Sequence, residues 1–105
     1  MSVVYEVTAV VEHELAEKWE RYMRERHIPD VLATGWFTRA SLIRAQGGRY
    51  RISYHAESTA DLDGYLAQSA PALRAEFVAR YPGGVALTRE NWELVQEWAP
   101  GRSAG

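Results

Sequence analysis

The stretch WFTRASLIRAQGGRYRISYHAE, Trp36 to Glu57, decides the fold that this sequence predicts. It holds two runs rich in β-branched and aromatic residues, and Gln46–Gly48 between them is typical of a hairpin turn. In the second run the even-numbered residues from Tyr50 to Ala56 are apolar or aromatic, and the odd-numbered residues from Arg51 to Glu57 are polar. This period of two predicts a strand with one face against a core.

The remaining elements follow on either side of this hairpin. Val3–Val11 is a β-branched run that predicts a strand, and the helical spacing after it predicts a helix that ends at His27. Pro29 then opens a short second helix. A capping-box pattern at Ser58–Asp61 opens another helix, and Val85–Trp98 predicts the last strand. The order strand, helix, strand, strand, helix, strand predicts an α+β fold, an antiparallel sheet with helices on one face.

Composition limits the class of protein. The chain has 105 residues, a net charge of -2 and no cysteine. We expect one domain over residues 1–98, a flexible C-terminal tail over 99–105, and neither disulfides nor thiolate-bound metal. The acidic balance argues against nucleic acid as a partner. The start of the chain has no secretion signal and no apolar run reaches the ~20 residues of a membrane span, so we expect no membrane association and a cytoplasmic location.

The helix-free face of the predicted sheet mixes polar and apolar side chains. A domain of this length buries only about 65% of the surface that its unfolded chain exposes, so a second copy would cover this face economically. We therefore expect a homodimer. The side chains of this face on the two inner strands are Val4, Glu6, Thr8 and Val10 beside Arg51, Ser53, His55 and Glu57.

Three segments carry a resemblance to a known family. HIPDVLATG (27–35), YRISYHAES (50–58) and APALRAEFVARYP (70–82) resemble a bacterial domain-of-unknown-function family, number 4286, over about residues 4–95. That family is similar in organisation to the dimeric α+β barrels, in which two ferredoxin-like sheets pack face to face. The resemblance implies a ferredoxin-like βαββαβ fold in a dimeric α+β barrel. The superfamily includes cofactor-free monooxygenases, haem-handling enzymes and small polyketide cyclases, so the resemblance implies fold more sharply than activity.

His27, Asp30 and Tyr54 are the candidate catalytic residues. His27 would act as general base or acid, Asp30 would orient its imidazole, and the phenol of Tyr54 would donate to an enolate oxygen. A structural interpretation stays open beside this one. A histidine in the last turn of a helix interacts favourably with the helix dipole, and an aspartate at the start of the next helix caps it.

The aromatic residues predict an apolar pocket with a few polar points. Buried phenols need hydrogen-bond partners, and small-molecule sites combine apolar walls with a few such groups. We expect the partner to be a hydrophobic or aromatic small molecule, although most of these rings would also serve as core. The candidate ligand-binding residues are Tyr5, Trp19, Tyr22, Trp36, Phe37, Tyr50 and His55.

His55 belongs to a second cluster on the helix-free face. Glu6 and Arg51 lie within cross-strand reach of this face if the alternation holds. The cluster is either a proton-transfer site or an interface salt-bridge network, and both interpretations stay open.

Other chemistries find little support. Tyr50 and Tyr54 have the period of an RNA-recognition strand, but the glycine of that motif is absent. His13, His27 and His55 are too scattered for a metal site, which leaves a single axial haem ligand as an open option. We expect no cofactor. Two functions follow: a cofactor-independent cyclase or isomerase acting on a carbonyl-containing, polyketide-like compound, or a non-catalytic ligand-binding or scaffold homodimer.

Overall fold

A computed structural model describes residues 2–101 and confirms the ferredoxin-like α+β fold. Residues 102–105 of the predicted tail lie outside the described residues, and residues 94–101 form neither helix nor strand. No helix within residues 2–101 combines the length and the apolar character needed to cross a bilayer. In chain order the elements are β1 Val3–Val11, α1 His13–Tyr22, a π-helical turn Met23–His27, α2 Ile28–Ala33, β2 Arg39–Ala45, β3 Arg49–Ala56, α3 Thr59–Gln68, α4 Ala70–Arg80 and β4 Val85–Glu93.

The four strands form one antiparallel sheet in the order β2-β3-β1-β4. The register places Tyr5 opposite Tyr54 on the two inner strands, and Val7 lies opposite Arg89 of the edge strand β4. The β2–β3 hairpin turns at Gly47 and Gly48, whose φ angles of 80° and 72° are costly for residues with a side chain. The hairpin predicted from the sequence is therefore present in its predicted place.

The alternation predicted for the strands separates the two faces of the sheet. Tyr5, Ile52 and Tyr54 face the helices and are buried, together with Trp19 of α1 and Val31 of α2. The opposite face carries the salt bridge between Glu6 and Arg51 and has no described helix over it. One face of the sheet is thus the core of the protomer, and the other is left to solvent or to a partner.

The first helix does not end at His27, which corrects the sequence-based prediction. The backbone stays helical from α1 into α2, and the N–H of Ile28 donates to the carbonyl of Met23, five residues earlier. Pro29 has no N–H to donate and its ring would clash in a regular turn, so the wider turn before it accommodates the proline. In a regular helix, Val31 would point about 80° away from Met23 around the helix axis, because it follows Met23 by eight residues. The wide turn brings the two side chains to the same side of the helix, and both are buried in the core.

The second strand begins at Arg39, three residues later than the quoted stretch suggests. Trp36 turns back toward the helices instead, where its Nε1 donates to Ser69 Oγ at 3.1 Å and its ring covers Gly64 of α3. The last strand ends at Glu93, five residues before the predicted Trp98. The sequence patterns placed these strands and gave the bounds of β1 correctly, but they began β2 too early and ended β4 too late. Trp36 lies in a loop that packs on α3, and Trp98 is 79% exposed beyond the end of β4.

We expect Gly64→Ala to lower the free energy of unfolding by about 1–3 kcal/mol, as overpacked substitutions do. An alanine at an ordinary position inside a helix would stabilise it by about 1 kcal/mol. Here the added Cβ would lie 2.5 Å from Cζ3 of Trp36. Urea unfolding of Gly64→Ala, of Trp36→Ala and of the double variant measures the effect.

In the Trp36→Ala background, the same Gly64→Ala change should become neutral or stabilising. Equal losses in both backgrounds would contradict the packing explanation.

Candidate active site

A pocket of about 310 Å³ lies between the helices and the sheet. Its floor is the helix-facing side of β1 and β3, its walls come from α1, the π-helical turn and α4, and β4 closes one side. This volume is at the lower end of the ~300–1,000 Å³ range of small-molecule sites. The lining residues that matter for chemistry are Tyr5, Trp19, His27, Tyr54, Tyr65, Arg74, Phe77, Tyr81 and Arg89.

Three phenols form the polar end of the pocket floor, and one phenyl ring packs behind them. Tyr5 and Tyr54 lie opposite each other with ring centroids 6.0 Å apart, and Tyr65 of α3 lies 6.0 Å from Tyr5. Phe37 packs behind them, 4.7 Å from the ring of Tyr65. Burial raises the pKa of Tyr54 far above its usual range and raises the pKa of Tyr65 to about 12. Both hydroxyls are protonated at neutral pH, as an ordinary tyrosine is, and burial extends this to more alkaline pH.

His27 projects into the pocket from the π-helical turn. Its imidazole lies edge-on to Phe77, with centroids 5.5 Å apart, and 6.0 Å from the ring of Tyr22. Burial lowers the pKa of His27, the charge of Arg89 lowers it further, and Asp30 and Glu76 partly offset this. The imidazole is consequently neutral at pH 7 and able to accept a proton.

Asp30 does not form the predicted pair with His27. The structure describes both residues, one helical turn apart, and shows neither a hydrogen bond nor an ion pair between them. Asp30 also makes no capping hydrogen bond, because the backbone before it is already helical and presents no free helix start. The carboxylate influences His27 through its charge alone, and the predicted roles of orienter and cap both lack the required contact.

The other predicted ligand-binding residues lie around the pocket or away from it. Tyr22 does not line the pocket, but its ring packs against His27, and the guanidinium of Arg80 lies 4.7 Å from the centroid of the Tyr22 ring. Trp36 packs on α3, and Tyr50 lies behind Trp19 with ring centroids 4.7 Å apart. His55 lies on the helix-free face of the sheet, so it cannot reach this pocket.

Two arginines of the pocket were not singled out by the sequence analysis. Arg74 of α4 donates from Nη2 to the hydroxyl of Tyr5 at 2.9 Å, and Arg89 of β4 lies on the helix-facing side of its strand, opposite Val7. Both positions are exposed at the mouth of the pocket. The strand period alone could have placed Arg89 on the same side of β4 as Val85 and Leu87, at the end of the apolar row.

The pocket wall also contains polar atoms with no partner among the described residues. Nε1 of Trp19 and the hydroxyl of Tyr81 are buried without a hydrogen bond. An unpaired buried donor costs about 1–3 kcal/mol, so native proteins rarely leave one without a reason.

No group of three metal-ligating side chains occurs within the described part of the chain.

The imidazole of His27 should titrate below its ordinary value of 6.5. Since the carboxylate of Asp30 raises this pKa, Asp30→Asn should lower it further, and so should Glu76→Gln. An NMR pH titration of the imidazole Cε1–H signals measures these shifts.

Asp63→Asn, at an exposed position on α3, serves as the control and should leave the signal of His27 unchanged. A His27 that titrates above 6.5, or that responds equally to all three variants, would contradict this electrostatic description.

Comparison with known proteins places the chain in a family. Residues 2–95 match the family model described as Domain of unknown function (DUF4286). Among solved structures, the heme-degrader MhuD from Mycobacterium tuberculosis, with two hemes bound in its active site, has a TM-score of 0.68 and 21% identity over 92% of this chain and 99% of that chain. SnoaB, a cofactor-independent oxygenase from Streptomyces nogalater, has a TM-score of 0.68 and 18% identity over 91% and 95%.

A dimeric ferredoxin-like protein from an uncultured marine organism also matches, with a TM-score of 0.67 and 13% identity over 92% of this chain and 98% of that chain. No curated protein matches the chain. At these identities the solved structures share its fold, that of the ferredoxin-like dimeric α+β barrel proteins. The family model covers nearly the whole sequence, and the chain belongs to the DUF4286 family.

Proposed function

We propose that this protein is a cofactor-independent enzyme that removes a proton beside the carbonyl of an apolar small molecule. One observation carries the proposal. A histidine kept neutral by burial projects into a pocket that also holds protonated phenols and two guanidinium groups. A base with no charge, facing donors that stay protonated, is the combination that proton abstraction to form an enolate requires.

His27 is the general base in this reaction. Its neutral nitrogen accepts the proton, the C–H bond beside the carbonyl breaks, and the electron pair moves onto the carbonyl oxygen. Asp30 and Glu76 stabilise the imidazolium that forms, because their charges raise the pKa of His27. The wide helical turn before Pro29 fixes the position of the imidazole, with Phe77 and Tyr22 packed against it.

The phenols stabilise the enolate oxygen. Tyr54 and Tyr65 are protonated at neutral pH, as an ordinary tyrosine is, so each has an O–H group that could donate to the oxygen as its charge develops. The enolate would then take back a proton at another carbon, as in an isomerisation, or attack a second carbonyl of the same molecule, as in a cyclisation. The cofactor-independent oxygenase among the similar structures supports a reaction that needs no bound cofactor.

The size of the pocket favours a ligand of one or two rings over haem. A porphyrin has four linked pyrrole rings, and a cavity of about 310 Å³ lies at the lower end for any small-molecule site. His27 is also flanked by Phe77 and Tyr22 at centroid distances of 5.5 and 6.0 Å. The residues as placed therefore do not fit haem, and no step of the proposed reaction uses it.

A non-catalytic ligand-binding dimer is the second candidate. Its specific support is that His27 forms no ion pair with Asp30, so no carboxylate orients the imidazole for proton transfer. The aromatic walls of the pocket would suffice for binding. Such a protein would hold an aromatic ligand without exchanging its protons. The two candidates therefore separate on proton exchange and not on affinity.

We expect the protein to accelerate deuterium exchange at the methyl group of 2-acetylnaphthalene, a two-ring aromatic ketone, in D₂O. His27→Gln should lower the exchange rate by about 10²–10⁴-fold, the usual contribution of a positioned base. Because the base must be neutral, the rate should rise with pH through a value below 6.5 and stay level above it. NMR of the methyl signal measures the rate.

His13→Gln, at an exposed position outside the pocket, serves as the control and should leave the rate unchanged. Binding of the ketone without any acceleration would support the non-catalytic candidate instead.

We also propose that the protein is a homodimer joined through the helix-free face of its sheet. That face carries the large apolar side chains Val10, Ile43 and Trp92, which are 49%, 55% and 50% exposed in the protomer. The similar structure described as dimeric supports this assembly. The predicted His55 cluster lies on the same face, where Glu6 pairs with Arg51 and Arg39 pairs with Glu97.

Ile43→Asp should convert the dimer to a monomer, because it replaces a large exposed apolar side chain of the proposed interface with a charge. Light scattering coupled to gel filtration measures the mass. Ala79→Asp, on the exposed side of α4, is the control and should leave the mass unchanged. A wild-type mass of one chain, 11.9 kDa, at high concentration would refute the proposal.

A further inference from the structure

Two guanidinium groups face one pocket mouth from different elements. Arg74 reaches it from α4 and Arg89 from β4, and both residues line the pocket described above. On the helix-facing side of β4, Arg89 lies between the apolar Leu87 and the polar Asn91, where the strand passes from half-buried to exposed. The fold itself does not require a cation there.

Neither guanidinium is neutralised by the described part of the protein. Salt bridges among the described residues involve Arg21, Arg39 and Arg44, together with the Arg51–Glu6 pair, and none involves Arg74 or Arg89. Arg74 uses one of its five N–H donors on the hydroxyl of Tyr5, at 2.9 Å. The carboxylates of Asp30 and Glu76, which lie near the pocket, raise the pKa of His27 and that of Tyr22.

The charges of the two arginines converge on one part of the pocket. Both guanidiniums lower the pKa of Tyr65, whose ring lies 6.0 Å from that of Tyr5, the acceptor of the bond from Arg74. Arg89 also lowers the pKa of His27, so its charge acts on the base as well as on Tyr65. The positive end of the pocket is therefore defined by Arg74, Arg89, Tyr5 and Tyr65.

The rest of the pocket mouth is apolar. Leu73, Val85 and Leu87 line it and are half-buried, which leaves apolar surface for the ring system of a ligand. A molecule that fills this pocket would be apolar along most of its length and negatively charged where it meets the two guanidiniums. Planar guanidiniums bind carboxylates through paired, charge-assisted hydrogen bonds, and they do so better than a single point charge would.

We infer that Arg74 and Arg89 form a carboxylate clamp, and that the substrate is an aromatic carbonyl compound with a carboxylate at the end remote from its rings. The inference rests on the proposed function, since it names the substrate class of the same pocket. The clamp would hold the carboxylate at the mouth while the carbonyl lies between His27 and Tyr54. Binding energy from this remote group then positions the reacting carbon against the base.

The test compares 4-(2-naphthyl)-4-oxobutanoic acid with the neutral ketone 2-acetylnaphthalene, which share the two rings and the carbonyl group and differ by a remote carboxylate. Quenching of tryptophan fluorescence measures the affinity of each compound for the wild-type protein and its variants. We expect the acid to bind more tightly, and Arg74→Met and Arg89→Met each to weaken the acid about tenfold, the usual effect of losing one charge-assisted hydrogen bond. The ketone should be unaffected by either change, and only the affinity of the acid should fall as NaCl is added.

Arg21→Met removes the same charge from the exposed face of α1, where Arg21 pairs with Glu17, and should change neither affinity. Arg89→Lys keeps the charge and should recover part of the affinity for the acid, which also controls for a misfolded Met variant. If the ketone binds and the acid gains nothing from either arginine, the clamp is refuted while the proposed function stands. If neither compound binds, the proposed function and the clamp fail together.

Discussion

The pairing of β1 with β3 is the constraint on which the rest of the structure depends. Because Tyr5 lies opposite Tyr54, every second side chain of both strands faces the helices, and the intervening residues face away. A shift of the β1–β3 register by one residue would turn one of the two strands over, which moves its phenol out of the core and places Glu6 or Arg51 inside it. The desolvation of that charge makes the alternative costly, so the same alternation that secures the fold also builds the pocket floor.

The parts of the fold that follow from repeating patterns could be predicted from the sequence. The hairpin at Gln46–Gly48, the two faces of β3 and the element order need only the period of two and the turn residues. The continuous helix could not be predicted, because Pro29 is compatible both with a helix start and with a wide turn inside a helix. The burial of Met23 and Val31 on one side of the helix decides between them, and this is a tertiary effect.

The candidate site could be predicted only in part, because its position also depends on tertiary packing. His27, Tyr5, Trp19 and Tyr54 line one pocket, while His55 lies across the sheet from it. Aromatic composition alone does not distinguish a ring that lines a cavity from one that fills the layer behind it, as Tyr50 does. Arg74 and Arg89 stand 15 residues apart in the chain, and only the antiparallel placement of β4 beside β1 brings them to one pocket.

Under the proposed function, the electrostatics of the pocket would let one small cavity hold a base and still favour an anion. Burial and the charge of Arg89 lower the pKa of His27, so the imidazole contributes no positive charge before the reaction begins. In the proposed reaction, the charges of Asp30 and Glu76 stabilise the imidazolium after proton transfer, and the phenols donate to the enolate. Each new charge would thus meet groups of opposite polarity that are already in place, which lowers a barrier without tightening the ground state. A purely apolar pocket with the same histidine would bind such a ligand but would leave both new charges without a partner.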